Sequence, residues 1–129
     1  MRKQPLYSFV CVSLLACGGG SDLSQEYQLA VAAEAEARAL ATVSPCNGDY
    51  QCVAIGLRRL DKLCGEYSWI PHSWASEAGY LPIAASNRLF VHAEQAPELA
   101  RPPGLDCSGV TTVEPQAVCV ANTCQLKVP

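Results

Sequence analysis

Cysteine offers the most varied chemistry in this sequence, because a thiol can be acylated, oxidised to a disulfide, bound to a metal ion or used as a nucleophile. The chain of 129 residues has eight cysteines, and two of them, Cys11 and Cys17, lie near its N-terminus. The other six are Cys46, Cys52, Cys64, Cys107, Cys119 and Cys124. The two groups lie in different sequence surroundings, which predict different chemistry for them.

The N-terminal residues have the pattern of an export signal. Arg2 and Lys3 form a positive start, and the apolar run from Leu6 to Ala16 is broken only by two serines. At about 1.5 Å per helical residue, this run is too short to cross a hydrocarbon core of about 30 Å. It has the length of the apolar region of a signal peptide, so we predict that the chain is exported.

Residues 14–17, Leu-Leu-Ala-Cys, end this run and resemble the lipobox of bacterial lipoproteins. The resemblance implies that residues 1–16 are removed as a signal peptide and that Cys17 is acylated on its thiol and its new amino group. Residues 17–24 are then a lipidated cysteine with a glycine-rich, flexible tether. Because Gly18 is not an aspartate, the resemblance implies an outer-membrane anchor facing the periplasm. The alternative is a plain secretory signal in which Cys17 has no role.

An even number of cysteines in a small exported domain predicts a disulfide framework. The six later cysteines can form three bridges in fifteen different pairings. We favour the pair Cys64 and Cys107, because both lie close to turn residues, Gly65 and Gly109, and their bond would close the long central segment.

A terminal hairpin is predicted around residues 121–122, Ala-Asn, since asparagine readily adopts the left-handed backbone of a tight turn. With this loop, Cys119 and Cys124 lie opposite each other as a non-hydrogen-bonded pair on one face. They can bond to each other, or each can reach another element. Zinc ligation with His72 and His92 is the competing interpretation, but close Cys-x2-Cys pairs are absent and export favours oxidation. We therefore predict no metal and no cofactor.

Residues 106–110, Asp-Cys-Ser-Gly-Val, resemble the nucleophile motif of the NlpC/P60 cell-wall peptidases. In that family the cysteine opens a helix, and a histidine farther along the chain acts as the base. Here no histidine follows His92, the residues after Gly109 favour a strand, and only twenty residues remain. A cell-wall hydrolase that uses Cys107 is therefore the alternative function.

No other set of residues completes a catalytic site. His72 and His92 could act with Ser73, Ser76 or Ser108, but a Gly-x-Ser-x-Gly elbow is absent, and lone histidines are more often structural. A formal net charge of −3 without a basic stripe excludes nucleic acid as a partner. The sequence thus predicts a protein that is not an enzyme.

Four aromatic residues are the ones in this sequence most typical of a binding surface: Tyr67, Trp69, Trp74 and Tyr80. Alternation along a strand places Tyr67 and Trp69 on one face, and Trp74 and Tyr80 follow on the loop beyond it. One interpretation is an aromatic core that fills a small interior. The other is an exposed surface, centred on the loop, for an envelope protein or a glycan.

The predicted helices and strands indicate an α+β fold. Ser24 can cap an alanine-rich helix of about residues 25–42, and residues 25–44 either pack on the domain or form a helical spacer. A cysteine-rich domain, residues 45–129, follows. Its predicted order is strands at 52–57 and 66–70, a helix at 83–95, and β-rich segments at 110–113 and 117–128. We expect an N-terminal helix followed by a small disulfide-stapled antiparallel sheet with one packed helix.

The order of these features is similar to that of a group of small cysteine-rich bacterial lipoproteins of unknown function. The similarity covers about residues 46–126 and lies in the order of the cysteines and of segments such as Cys52-Val-Ala-Ile-Gly and Lys62-Leu-Cys-Gly. It implies no activity. The sequence therefore leads us to expect a membrane-anchored, exported lipoprotein with a non-enzymatic structural or interaction domain of the cell envelope.

Overall fold

The computed structural model describes residues 22–41 and 44–127. The predicted signal peptide, Cys17 and the tether glycines lie outside the described residues. Helices and strands follow in the order α1 (Gln25–Leu40), β1 (Cys52–Arg58), β2 (Tyr67–Ser73), α2 (Leu81–Gln95), β3 (Gln116–Val120) and β4 (Thr123–Lys127). Two antiparallel sheets, β1–β2 and β3–β4, and three disulfides confirm the predicted stapled α+β class.

Helix α1 begins where the capping pattern predicts. The Ser24 hydroxyl accepts a hydrogen bond from the backbone N–H of Tyr27 (3.2 Å), which satisfies one of the free donors of the first turn. Ser24 also binds Glu98, its hydroxyl lying 2.8 Å from Oε2 of that carboxylate. The start of α1 is therefore fixed both by its own cap and by the segment that follows α2.

Helix α1 packs against α2, so the structure has the packed helix rather than a separate spacer. The buried face of α1 consists of Ala30, Ala33 and Ala37. Side chains this small let the two helices approach closely, and Leu89 of α2 is fully buried. Around this contact lies the core, formed by Ala30, Ala33, Ala37, Ile55, Leu57, Ala85, Leu89, Ala93, Ala96 and Leu99.

Polar contacts at the rim show that α1 and α2 run antiparallel. Glu26, in the first turn of α1, lies 2.7 Å from His92 Nδ1 in the last turn of α2. Glu36, farther along α1, lies 2.7 Å from the Arg88 guanidinium, earlier in α2. No helix within the described ranges is both long enough and apolar enough to cross a bilayer.

The first sheet pairs β1 with β2 in a ladder that runs from Cys52 opposite Ser73 to Arg58 opposite Tyr67. Alternate residues of β1 face the helices, and Ile55 and Leu57 are buried among them. The opposite face carries Cys52, whose sulfur joins the second sheet.

The second sheet is the predicted terminal hairpin. Ala121 and Asn122 both have positive φ angles, 50° and 61°, which is the backbone of a two-residue type I′ loop. Cys119 lies opposite Cys124. Their amides bond elsewhere, that of Cys124 to the Ser44 carbonyl (2.8 Å) and that of Cys119 to Asp49 Oδ1 (2.7 Å). The two cysteines therefore form the predicted non-hydrogen-bonded pair.

One sequence prediction was wrong. Residues 110–113, Val-Thr-Thr-Val, were predicted to be β-rich, but they form no strand. The segment lies between the Cys64–Cys107 disulfide and Pro115, and no described strand is hydrogen-bonded to it. β-Propensity reflects packing against neighbouring strands, so it produces a strand only where a partner is available.

Candidate functional site

The six cysteines of the described chain are joined in three disulfides, Cys46–Cys119, Cys52–Cys124 and Cys64–Cys107. The pair favoured from the sequence, Cys64–Cys107, is present. The hairpin cysteines do not bond to each other. They fasten β3 to the loop before β1, and β4 to the first residue of β1.

The two hairpin disulfides lie against each other. The Sγ atoms of Cys46, Cys52 and Cys124 are all within 4.8 Å of one another, although they belong to two different bonds. We name Cys46, Cys52, Cys119 and Cys124 the sulfur cluster. Cys46 and Cys124 are buried, whereas Cys52 and Cys119 are partly exposed. The sequence predicted the hairpin pair but not this cluster, because Cys46 and Cys52 reach it through tertiary packing.

The residues considered for catalysis are engaged elsewhere. Cys107 Sγ is bonded to Cys64, so no thiolate stands at this position in the structure. His92 binds Glu26. His72 is fully buried, and its Nε2 lies 2.7 Å from the carbonyl oxygen of Gly79. His72 Nδ1 has no hydrogen-bond partner among the residues that the structure describes.

The four aromatic residues form two separate ring contacts. Tyr67 stacks on Trp69 with ring centroids 5.7 Å apart, and Tyr67 also meets Phe90 of α2 at 5.1 Å. Trp74 meets Tyr80 at 4.7 Å, and the Tyr80 side chain is 72% exposed. The first pair is half-buried, and the second lies on the exposed loop after β2.

A glycine lets the first aromatic pair lie flat on the sheet. Gly56 is opposite Trp69 in the β1–β2 ladder. A Cβ on Gly56 would lie 3.0 Å from Tyr67 Cδ1 and 3.1 Å from Trp69 Cζ3, closer than ordinary van der Waals contact. The rings therefore occupy the space that any larger residue at position 56 would need.

Tyr67 and Trp69 form one wall of an open groove of about 450 Å³. Glu66 lies beside them, and the opposite wall is residues 109–113, Gly-Val-Thr-Thr-Val. Thr111, Thr112 and Val113 are exposed, Val113 by 60%. We name this cavity the aromatic groove.

The second wall of the aromatic groove has free backbone groups. Within residues 22–41 and 44–127, no hydrogen bond involves the backbone N–H or C=O groups of Thr111, Thr112, Val113 or Glu114. Val110 is the last residue before them with such a bond, to the Cys107 carbonyl (3.1 Å). A row of free donors and acceptors on a β-branched segment is the chemistry of an unpaired strand edge.

A tight turn leads into this wall. The Ser108 backbone N–H donates to Asp106 Oδ1 (2.9 Å), and hydrogen bonding from Ser108 holds the pKa of the Asp106 carboxyl below its usual range. The turn is covalently fixed by the neighbouring Cys107 disulfide. At the end of β1, burial lowers the pKa of Arg58, the residue opposite Tyr67 in the ladder.

The sequence predicted one wall of the aromatic groove, the Tyr67–Trp69 pair, but not the other wall. The alternation of Tyr67 and Trp69 indicated that they share a face. Residues 109–113 attracted attention only as a strand candidate and as the end of a nucleophile motif. Their β-branched composition without a hairpin partner was the signal that could have marked a free edge.

Comparisons with known proteins do not identify a family for this chain. No model of a known family, no curated protein and no solved structure matches the chain.

Proposed function

We propose that this protein is an exported lipoprotein of the cell envelope, anchored through an acylated Cys17 at the outer membrane, and that its domain is a non-enzymatic interaction module. Its partner is an extended peptide segment of another envelope protein, bound in the aromatic groove. The single observation that carries the proposal is that residues 111–113, whose backbone groups have no hydrogen-bond partner among the described residues, line the same groove as the Tyr67–Trp69 pair.

The groove suits an extended peptide because its two walls supply the two parts of strand addition. Free N–H and C=O groups on one wall can bond a peptide backbone, which supplies affinity without regard to sequence. Aromatic faces on the other wall can pack against alternate side chains, which supplies selectivity. Tyr67 already packs against Phe90 and Trp69, so its side chain loses little conformational entropy when a peptide binds.

The anchor places the groove near the membrane. From Cys17 to the capped Ser24 are seven residue steps, which span at most about 25 Å when fully extended. Since α1 is packed into the core from Gln25 onward, a short tether leads directly to a rigid body. Several acyl chains on one cysteine give stable anchoring, where a single chain does not.

The alternative function, a hydrolase with Cys107 as nucleophile, has less support. Its nucleophile would have to be a free thiol, and Cys107 is bonded to Cys64. The two candidate bases are engaged with other residues, His72 with the Gly79 carbonyl and His92 with Glu26.

The test is selection from a library of linear peptides and, in parallel, binding to an array of oligosaccharides, both with the oxidised domain. We expect peptides to be selected, and two variants to lose them. Trp69→Ala removes one aromatic face, and Thr112→Pro removes a backbone N–H. Thr112→Val is the matched control, because it keeps the backbone donor and the branched shape. Trp74→Ala, outside the groove, should leave binding unchanged.

Two results would contradict the proposal. The first is the absence of any selected peptide that depends on Trp69. The second is binding of oligosaccharides that is lost in Thr112→Val. This substitution removes only the hydroxyl group, so such a loss would identify the groove as a glycan site. Near-ultraviolet circular dichroism of each variant checks that the fold is retained.

A further inference from the structure

We propose that the sulfur cluster is a thiol–disulfide exchange site. Its co-reactant is the exposed thiolate of another molecule. Exchange converts the pairs Cys46–Cys119 and Cys52–Cys124 into Cys46–Cys52 and Cys119–Cys124, and this chemistry is independent of the aromatic groove.

The geometry of the four sulfurs permits the second pairing. Cys46 Sγ is within 4.8 Å of both sulfurs of the neighbouring bond, so side-chain rotations and small shifts can bring it into bonding distance of Cys52. Cys119 and Cys124 are directly opposite as a non-hydrogen-bonded pair. Such pairs have Cα atoms about 4.5 Å apart, which lies within the range that a disulfide spans.

Exposure limits where the exchange can begin. A thiolate from solvent attacks an accessible cysteine, and the partly exposed cysteines of the sulfur cluster are Cys119 and Cys52, each bonded to a buried partner. We take Cys119 as the starting point, because its partner Cys46 lies close to both sulfurs of the second disulfide. Attack at Cys119 therefore releases the buried Cys46 as the leaving thiolate. That thiolate is formed directly beside the second disulfide, where an intramolecular reaction has a high effective concentration.

The reaction balances in three steps. An external thiolate attacks Cys119 Sγ, forms a mixed disulfide and breaks the bond to Cys46, whose sulfur leaves as a thiolate. Cys46 then attacks Cys52 Sγ, forming Cys46–Cys52 and releasing the Cys124 thiolate. Cys124 finally attacks Cys119 Sγ, forms Cys119–Cys124 and regenerates the external thiolate. The sum is an isomerisation with no net oxidation or reduction.

The exchange would remove the disulfides between the hairpin and the start of the domain. In the observed pairing, β3 and β4 are each bonded covalently to residues near the start of β1. In the exchanged pairing both new bonds are internal, one within residues 46–52 and one within the hairpin. Between these two segments only non-covalent contacts then remain, such as the hydrogen bond from the Cys46 amide to the Asn122 carbonyl (3.0 Å), while the Cys64–Cys107 disulfide still fastens the chain before β3.

Tryptic mapping distinguishes the two pairings without any substitution. Cys46 and Cys52 share the fragment 39–58, and Cys119 and Cys124 share the fragment 89–127 with Cys107. The observed pairing links the two fragments. The oxidised protein is incubated with a glutathione redox buffer, quenched with acid and iodoacetamide, and digested without reduction. We expect fragment 39–58 to appear unlinked, with an internal disulfide, while Cys64–Cys107 persists.

A pair of single substitutions tests the route. Cys119→Ala frees Cys46, and we expect an alkylating label to divide between Cys46 and a second cysteine of the sulfur cluster. Cys107→Ala is the matched control, because it frees Cys64, which is not part of that cluster, and its label should stay on Cys64. The proposal is overturned if fragment 39–58 is never released, if label in Cys119→Ala stays on Cys46 alone, or if Cys64 and Cys107 scramble equally.

Discussion

Leu89→Ala is the most informative stability variant, because it tests whether α1 belongs to the core. Leu89 of α2 is fully buried, in one core cluster with Ala30, Ala33 and Ala37, which form the buried face of α1. Truncation of a buried leucine costs about 2–5 kcal/mol, and the cost rises with the cavity that remains. Alanine side chains have no rotamers with which to fill such a cavity. We therefore expect the upper part of the range, about 3–5 kcal/mol.

The assay is thermal unfolding of the oxidised domain by circular dichroism. For a domain of this size, 1 kcal/mol corresponds to about 4–8 °C in Tm, so Leu89→Ala should lower Tm by at least about 12 °C. Val91→Ala is the matched control in the same helix, since Val91 is 51% exposed and its truncation should change stability by at most about 0.5 kcal/mol. Equal, small effects of the two substitutions would refute the packing of α1 on α2.

Three further outcomes are expected. Ala121→Gly should stabilise the hairpin by about 0.5–1 kcal/mol, because glycine adopts the positive φ of 50° without steric cost; an unchanged or lower Tm would contradict this. Ser24→Ala should cost about 1 kcal/mol through loss of the N-cap, measured by urea unfolding, with Ser24→Thr as the control that keeps the hydroxyl. Asp106 should titrate below the usual aspartate range in a pH series of carboxyl NMR spectra. Because its pKa is lowered in the fold, the stabilisation from its hydrogen bonds is present above the unfolded-state pKa and lost as the pH falls through the folded-state pKa. Ser108→Ala should raise that midpoint, and an unmoved midpoint would argue against the hydroxyl as the main cause.

Local signals in the sequence were enough for the helices and the hairpin. Ser24 followed by an alanine-rich run predicted α1, the segment after Pro82 predicted α2, and residues 121–122 predicted the turn with its opposed cysteines. Each of these features depends on residues within a few positions of one another. Cap, propensity and turn chemistry act at that range, so they can be read without a structure.

The pairings between distant parts of the chain could not be predicted in the same way. Residues 110–113 have strand propensity but pair with no described strand, so propensity alone gave the wrong answer. Cys119 and Cys124 face one another, and only the packing of the hairpin on β1 decides that Cys46 and Cys52 are their partners. The aromatic groove likewise requires two segments at least forty residues apart.

The intact mass of the protein, expressed with its own N-terminus in a bacterial host and measured with and without reduction, is the decisive test of lipidation and disulfide formation. We expect a chain that begins at Cys17 and carries the added mass of acyl groups. We also expect that reduction adds two hydrogens for each of the three disulfides. A chain that retains Met1, has no acyl mass and does not change on reduction would contradict both lipidation and disulfide formation.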